Sequence, residues 1–156
     1  MNDNRHPNRP TLGVERAEAK EAIDAVARLV EELQAGWDRH DADLSNRHFA
    51  ANVMWGSPFG ATVHGYEELH AIHVRLKQKG KGGLSSRFEV VRVLAPAPGV
   101  AVAQVRRVAL DSEGQPIAPS DNITDSFSEM ALYVLVRRGD IWWLAAGQNT
   151  PIRPAA

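Results

Sequence analysis

His73 is the side chain best placed to do chemistry in this sequence of 156 residues. It falls between Leu69 and Leu76 on the apolar side of an amphipathic stretch, where a neutral imidazole can act as a general base or a hydrogen-bond donor. The plain alternative is a core histidine with both ring nitrogens satisfied. His70 lies three residues before it and His64 is near, a set that invites a metal. No carboxylate at matching spacing completes such a site, so none is expected. Arg106 is the second catalytic candidate. With Gln104 it shares one face of an alternating run that also carries Val102 and Val108. An arginine there either enters a pocket to meet an anionic or carbonyl group or lies exposed at a sheet edge. Glu129, on the neighbouring run, is expected to pair with Arg106. Gln148 and Asn149 end an apolar strand before Pro151, where a pocket would find hydrogen bonds for a ligand's carbonyl or hydroxyl. Trp37, Trp55 and Phe59 offer faces for a planar ligand, or simply fill a core.

These residues need elements to hold them. From about Glu18, Ile23, Val26, Leu29, Val30, Leu33 and Trp37 form one apolar stripe of a helix. Burying six such side chains is worth on the order of 10 kcal/mol before entropy is subtracted, so the helix needs a sheet to lie on. Asp43 is a plausible N-cap for a short second helix through Phe49; Asp41 and Asp43 both read as caps. A strand over 52–57 closes at Pro58 and Gly60 and pairs back with Thr62–His64. A third helix runs from Tyr66 to about Lys79, with Leu69, Ile72, His73 and Leu76 on one face. The basic, glycine-rich 77–83 run that follows is a solvated exit loop. Strands over 87–94 and 100–110 flank a Pro-Ala-Pro-Gly turn, and residues 111–127 form a polar connection, long for a hairpin.

The chain ends in a hairpin over 129–151 with a charged tip at Arg137-Arg138-Gly139-Asp140. Strict alternation puts Met130, Leu132, Val134 and Val136 on one face, and Glu129, Ala131, Tyr133 and Leu135 on the other. On the return run it groups Trp142, Leu144, Ala146 and Gln148 against Ile141, Trp143, Ala145 and Gly147. Both faces are apolar, so both are expected to meet protein. With Leu144 and Gln148 turned to the interior, Tyr133 and Trp143 become an outer aromatic surface suited to a homodimer.

Composition narrows the function classes. Net charge is −1, with acids and bases interspersed, which gives no footprint for nucleic acid or an anionic membrane. The chain has no cysteine, which excludes disulfides and thiolate chemistry. No run of 18 apolar residues spans a membrane, and the first residues carry no apolar signal segment, so a cytoplasmic location is expected. No GxGxxG follows a strand, and no cofactor is expected. Residues 1–16 read as a disordered arm, 17–153 as a single α+β domain and 154–156 as a tail.

Helix, short helix, hairpin, helix and four strands, in that order, resemble the nuclear-transport-factor-2-like (SnoaL-like) superfamily over about residues 20–152. Gly36-Trp37 with Asp41-Ala42-Asp43, Val63-His64-Gly65 leading to His73, and the closing Trp142-x-Leu144-Ala145-Ala146-Gly147-Gln148-Asn149-Thr150-Pro151 are similar to its SgcJ/EcaC-type group. The resemblance implies a cone-shaped fold: three N-terminal helices on a strongly curved antiparallel sheet, enclosing a pocket and commonly dimerising through the sheet. Ketosteroid-isomerase relatives use a carboxylate base with a Tyr and a protonated Asp. Their positions fall here at Ser57, near Leu33, and near Ala131 or Leu132, so that chemistry is not expected.

Two functions follow. One is a small-molecule-binding protein for an apolar, aromatic or polyketide-like ligand, any catalysis being cofactor-independent acid–base work (isomerase, cyclase or hydrolase type) by His73 with Arg106, Gln148 or Asn149. The other is a non-catalytic dimeric accessory module whose cone is filled by Trp37, Trp55 and Phe59. An open or a packed interior separates them.

Overall fold

The computed structural model describes residues 8–79, 85–122 and 125–155. The first seven residues of the expected arm and the glycine-rich part of the exit loop lie outside that range. Helix α1 (Arg16–Asp38) lays Ala22, Ala25, Val26, Leu29, Val30 and Leu33 against the sheet. Four of these are Val or Leu, whose burial is worth roughly 8 kcal/mol before entropy. Ile23, expected in this stripe, is 52 % exposed; Ala22 is the buried residue in its place, four and three positions before Val26 and Ala25 on the same helix face.

α1 ends by a left-handed turn at His40 (φ 54°), where Asp41 N–H bonds Gly36 O at 2.8 Å and His40 N–H bonds Trp37 O at 3.2 Å. This paired pattern satisfies the last carbonyls and stops the helix with Trp37 in its final turn. α2 (Ala42–Ser45) then folds back on α1. A Cβ at Gly36 would lie 2.6 Å from Ser45 N and 2.7 Å from Asp41 O, so only glycine permits this contact. Asp41, not Asp43, caps α2 by accepting from Leu44 N–H at 3.0 Å.

The sheet orders its strands β2 (Thr62–His64), β1 (Phe49–Gly56), β6 (Ile141–Pro151), β5 (Glu129–Arg138), β4 (Val100–Ala109), β3 (Ser86–Ala97). It is open, and it is mixed rather than antiparallel throughout, because β1 runs parallel to β6. Helix α3 (Tyr66–Lys79) packs on β1, β2 and α2. Its buried anchor is Leu69; Leu76, expected beside it, is exposed.

Register decides which faces are inside. Ala101, Ala103, Val105 and Arg107 of β4 pair with Leu135, Tyr133, Ala131 and Glu129 of β5 and face the helices. In β6 the pairing shifts between Val134↔Ala146 and Leu135↔Leu144, leaving Ala145 as an extra residue. This bulge resets the alternation. Leu144 is inside with Leu135, Gly147 is inside with Tyr133, and Gln148 is outside with Leu132. The expected outer aromatic face is thereby corrected: Tyr133 is buried in the core, and only Trp143 of that pair lies on the outer face, across from Val136. No helix among the described residues is long and apolar enough to cross a membrane.

Candidate functional site: the mouth of the cone

The cone between helices and sheet is filled. The Trp55 ring stacks on Phe49 at 5.6 Å and on Tyr133 at 6.1 Å, and His73 meets it edge-on at 5.3 Å. A Cβ at Gly147 would lie 2.9 Å from the Trp55 ring and 3.0 Å from that of Tyr133. The stack therefore exists because β6 has no side chain there. Between this stack and the mouth, a cavity of about 10 Å³ is bordered by Phe88, Arg107, Glu129, Tyr133 and Asn149, space for about one water.

The polar groups gather at the mouth above this stack. Arg107 donates from Nε to Glu129 at 3.1 Å, from Nη1 to Ser86 Oγ at 2.9 Å and from Nη2 to the Phe127 carbonyl at 2.9 Å. Its guanidinium carbon lies 4.8 Å from the centroid of the Trp37 ring, and Lys77 Nζ lies 5.2 Å from it. Trp37 also meets Phe88 edge-on at 6.0 Å. Phe127 packs against Phe59 at 5.6 Å and lies beneath Arg107 and Arg153. Burial, and secondarily Glu129, pushes the Tyr133 phenol well up, so it is a protonated donor at neutral pH. Burial lowers the Lys77 ammonium, with Asp41 opposing.

His73 is held by a chain of polar side chains. His70 Nε2 lies 2.9 Å from Asp43 Oδ1, Asn46 Nδ2 lies 3.1 Å from His70 Nδ1, and His73 Nδ1 lies 3.0 Å from Asn46 Oδ1. A carboxylate accepts only, so His70 donates from Nε2, and the Asn46 amide nitrogen facing its Nδ1 makes that atom the acceptor. Asn46 must then turn its NH2 to His70 and its carbonyl to His73, and His73 donates from Nδ1. Its Nε2 keeps a lone pair that no described protein group binds. Burial, with help from Lys77 and His70, lowers His73 to about 4. At neutral pH it is an acceptor and a weak base. His64 lies on the outer face opposite Met54, so the three histidines weighed as a metal set do not converge.

Of the expected site residues, Trp37, Trp55, His73, Glu129 and Asn149 are brought to the cone, and Phe59 borders its mouth through Phe127. Asn149 is buried, its Nδ2 3.5 Å from Gly56 O. Arg106, Gln104, Gln148 and His64, also expected to meet a ligand, are not brought there. They lie on the outer face, with Arg106 3.4 Å from Glu89. Glu129 pairs with Arg107 instead, since β4 turns its odd-numbered residues inward. Sequence reasoning missed Arg107, Tyr133, Lys77 and Asn46. The alternation that grouped Tyr133 with Ala131 and Glu129 was legible; its direction was not.

A second, larger cleft of about 150 Å³ lies at the other end, between α1 and the hairpin tip, bordered by Arg28, Glu32, His48, Asp140 and Trp142. There Glu32 and His48 satisfy each other at 2.7 Å, and Arg28 and Asp140 are exposed. The mouth is the better-built site, because its aromatic faces and cations converge on a shared wall.

No protein-family model matches the chain, and no curated protein does. Solved structures do match. A domain of unknown function with a cystatin-like fold from Nostoc punctiforme superposes with TM-score 0.70 at 18% identity, over 90% of this chain and 81% of that one. An NTF-2 like protein of unknown function from Shewanella oneidensis gives 0.65 at 14% identity, over 82% and 98%. The fold is that of the nuclear-transport-factor-2-like proteins. A ketosteroid isomerase-like protein from Erwinia carotovora atroseptica gives 0.64 at 12% identity, over 86% and 98%. At these identities the likeness is one of fold, and the nuclear-transport-factor-2-like cone is here a packed one.

Proposed function

We propose that this protein is a small-molecule-binding domain, spanning 17–153, that takes a planar aromatic ligand at the mouth of its filled cone and does no chemistry on it. The observation that carries this reading is the closure of the throat by Trp55 and Tyr133 beneath a rim of Trp37, Arg107 and Phe127. A ligand rests on the rim rather than inside. Its polar neighbours there are the rim cations, the Arg107 guanidinium and the Lys77 ammonium. The weak basicity of His73 and the outward placement of Arg106 argue against the acid–base pair expected of them. The SgcJ/EcaC-type ending supports the same reading, since Gly147 makes room for the stack and Asn149 borders the cavity.

Thermal unfolding against neutral planar aromatics tests it. A ligand at 100 times its dissociation constant adds about 2.7 kcal/mol, a shift of several degrees. Trp37→Ala should abolish the shift and Trp143→Ala, on the outer face, should not. No shift with any compound would overturn the reading.

A second reading, self-association, is favoured by one observation. Met54, Leu94 and Leu132 are exposed on the outer face of the sheet, flanked by the Glu89–Arg106 pair. We propose a second copy of this chain as the occupant, because an apolar centre with both charge signs at its margin can meet its own two-fold image.

A further inference from the structure

The mouth holds more positive charge than its carboxylates neutralise. Arg107 and Lys77 both stand within cation–π distance of the Trp37 ring, and Arg153 and Arg107 stand over Phe127. Glu129 is committed to Arg107, and Asp41 spends one oxygen on the cap of α2. Lys77 has no carboxylate within ion-pair distance among the described residues, although it is half-buried. A part-desolvated ammonium without a partner is costly, and the cost falls when an anion arrives. Resting on the binding reading above, we propose that the ligand is a planar acid whose carboxylate is received by Lys77, with its ring on the Trp37–Phe127 rim. Arg107 cannot take the leading part, because Glu129, Ser86 and Phe127 already hold three of its donors. Arg153 is held by the Ser120 carbonyl at 2.7 Å, which leaves Lys77 as the cation beside Trp37 with no oxygen partner among the described residues.

Isothermal titration with 2-naphthoate and 2-naphthamide tests this, since the two differ in charge and hardly in shape. Wild-type protein should bind the acid at least tenfold tighter. Lys77→Met should bring acid and amide level, Lys77→Arg should keep the preference, and Lys20→Met, at an exposed remote lysine, should change nothing. Were Lys77→Met to fail to fold, raising salt from 50 to 500 mM should erode the preference in the wild type. Equal binding of acid and amide would overturn the anion and leave the mouth as the site. A preference that survives Lys77→Met in the folded variant, or that does not respond to salt, would overturn it equally. Binding of neither compound would overturn both readings together.

Discussion

Asn46 and His73 are joined by a 3.0 Å hydrogen bond from His73 Nδ1 to Asn46 Oδ1, and this bond determines which imidazole nitrogen is left free. Asp43, on the far side of His70, dictates the direction of every bond in the series. Asn46 is fully buried. Asn46→Leu leaves Nδ1 of His73 and Nδ1 of His70 without their partner, while His70 keeps Asp43, and should cost about 1–3 kcal/mol per stranded group, read as a lowered thermal midpoint.

Stability should fall as pH drops from 6.5 toward 4. His73 titrates near 4 in the folded protein against 6.5 in the unfolded chain. Between those values the unfolded state binds the proton and the folded state does not, so acid favours unfolding. The full effect is about 3 kcal/mol. Urea midpoints at pH 7 and pH 4.5 measure it. His73→Phe should flatten this part of the profile, and an unchanged slope in that variant would assign the titration elsewhere.

Arg107 and Arg106 are neighbours with opposite expectations. Arg107 and Glu129 are 13% and 17% exposed at 3.1 Å, whereas Arg106 and Glu89 are 41% and 33% exposed at 3.4 Å. Arg107→Ala should cost about 3–5 kcal/mol by stranding a buried carboxylate. Arg106→Ala should cost under about 1 kcal/mol. Chemical denaturation of the two variants should separate them clearly.

Gly147→Ala should destabilise by about 1–3 kcal/mol, because the new methyl meets the Trp55 and Tyr133 rings, which are stacked on each other, Trp55 also on Phe49. For Gly56→Ala the three nearest atoms to the new methyl all belong to the end of the Gln148 side chain. That side chain is exposed and can swing away, so near wild-type stability is expected. Near-ultraviolet circular dichroism should register the loosened stack in the first variant alone.

If the outer face pairs two copies, sedimentation should give a dimer of the 17.1 kDa chain, and Leu132→Asp should give a monomer with an unchanged unfolding curve at low concentration. A wild-type monomer at micromolar concentration would discard that reading.

The order of elements was legible in the sequence because period and punctuation are local properties. The 3.6-residue recurrence of Val26, Leu29, Val30 and Leu33, the glycines and prolines between strands, and the charged tip at 137–140 each act within a few residues. Trp37, Trp55 and His73 were placed at the cone by that order. Alternation likewise divided β4 and β5 into two faces. Which face is buried was decided only by tertiary packing, since an apolar run on both sides fits either direction until helices cover one. In β6 the alternation itself failed. The extra residue at Ala145 moves Gln148 outward and Gly147 inward, and a bulge is a compromise between paired strands that neither shows alone. The site's bonds are of the same kind. Asn46 meets His73 across 27 positions and Arg107 meets Glu129 across 22, distances at which only the folded sheet and helices bring side chains together.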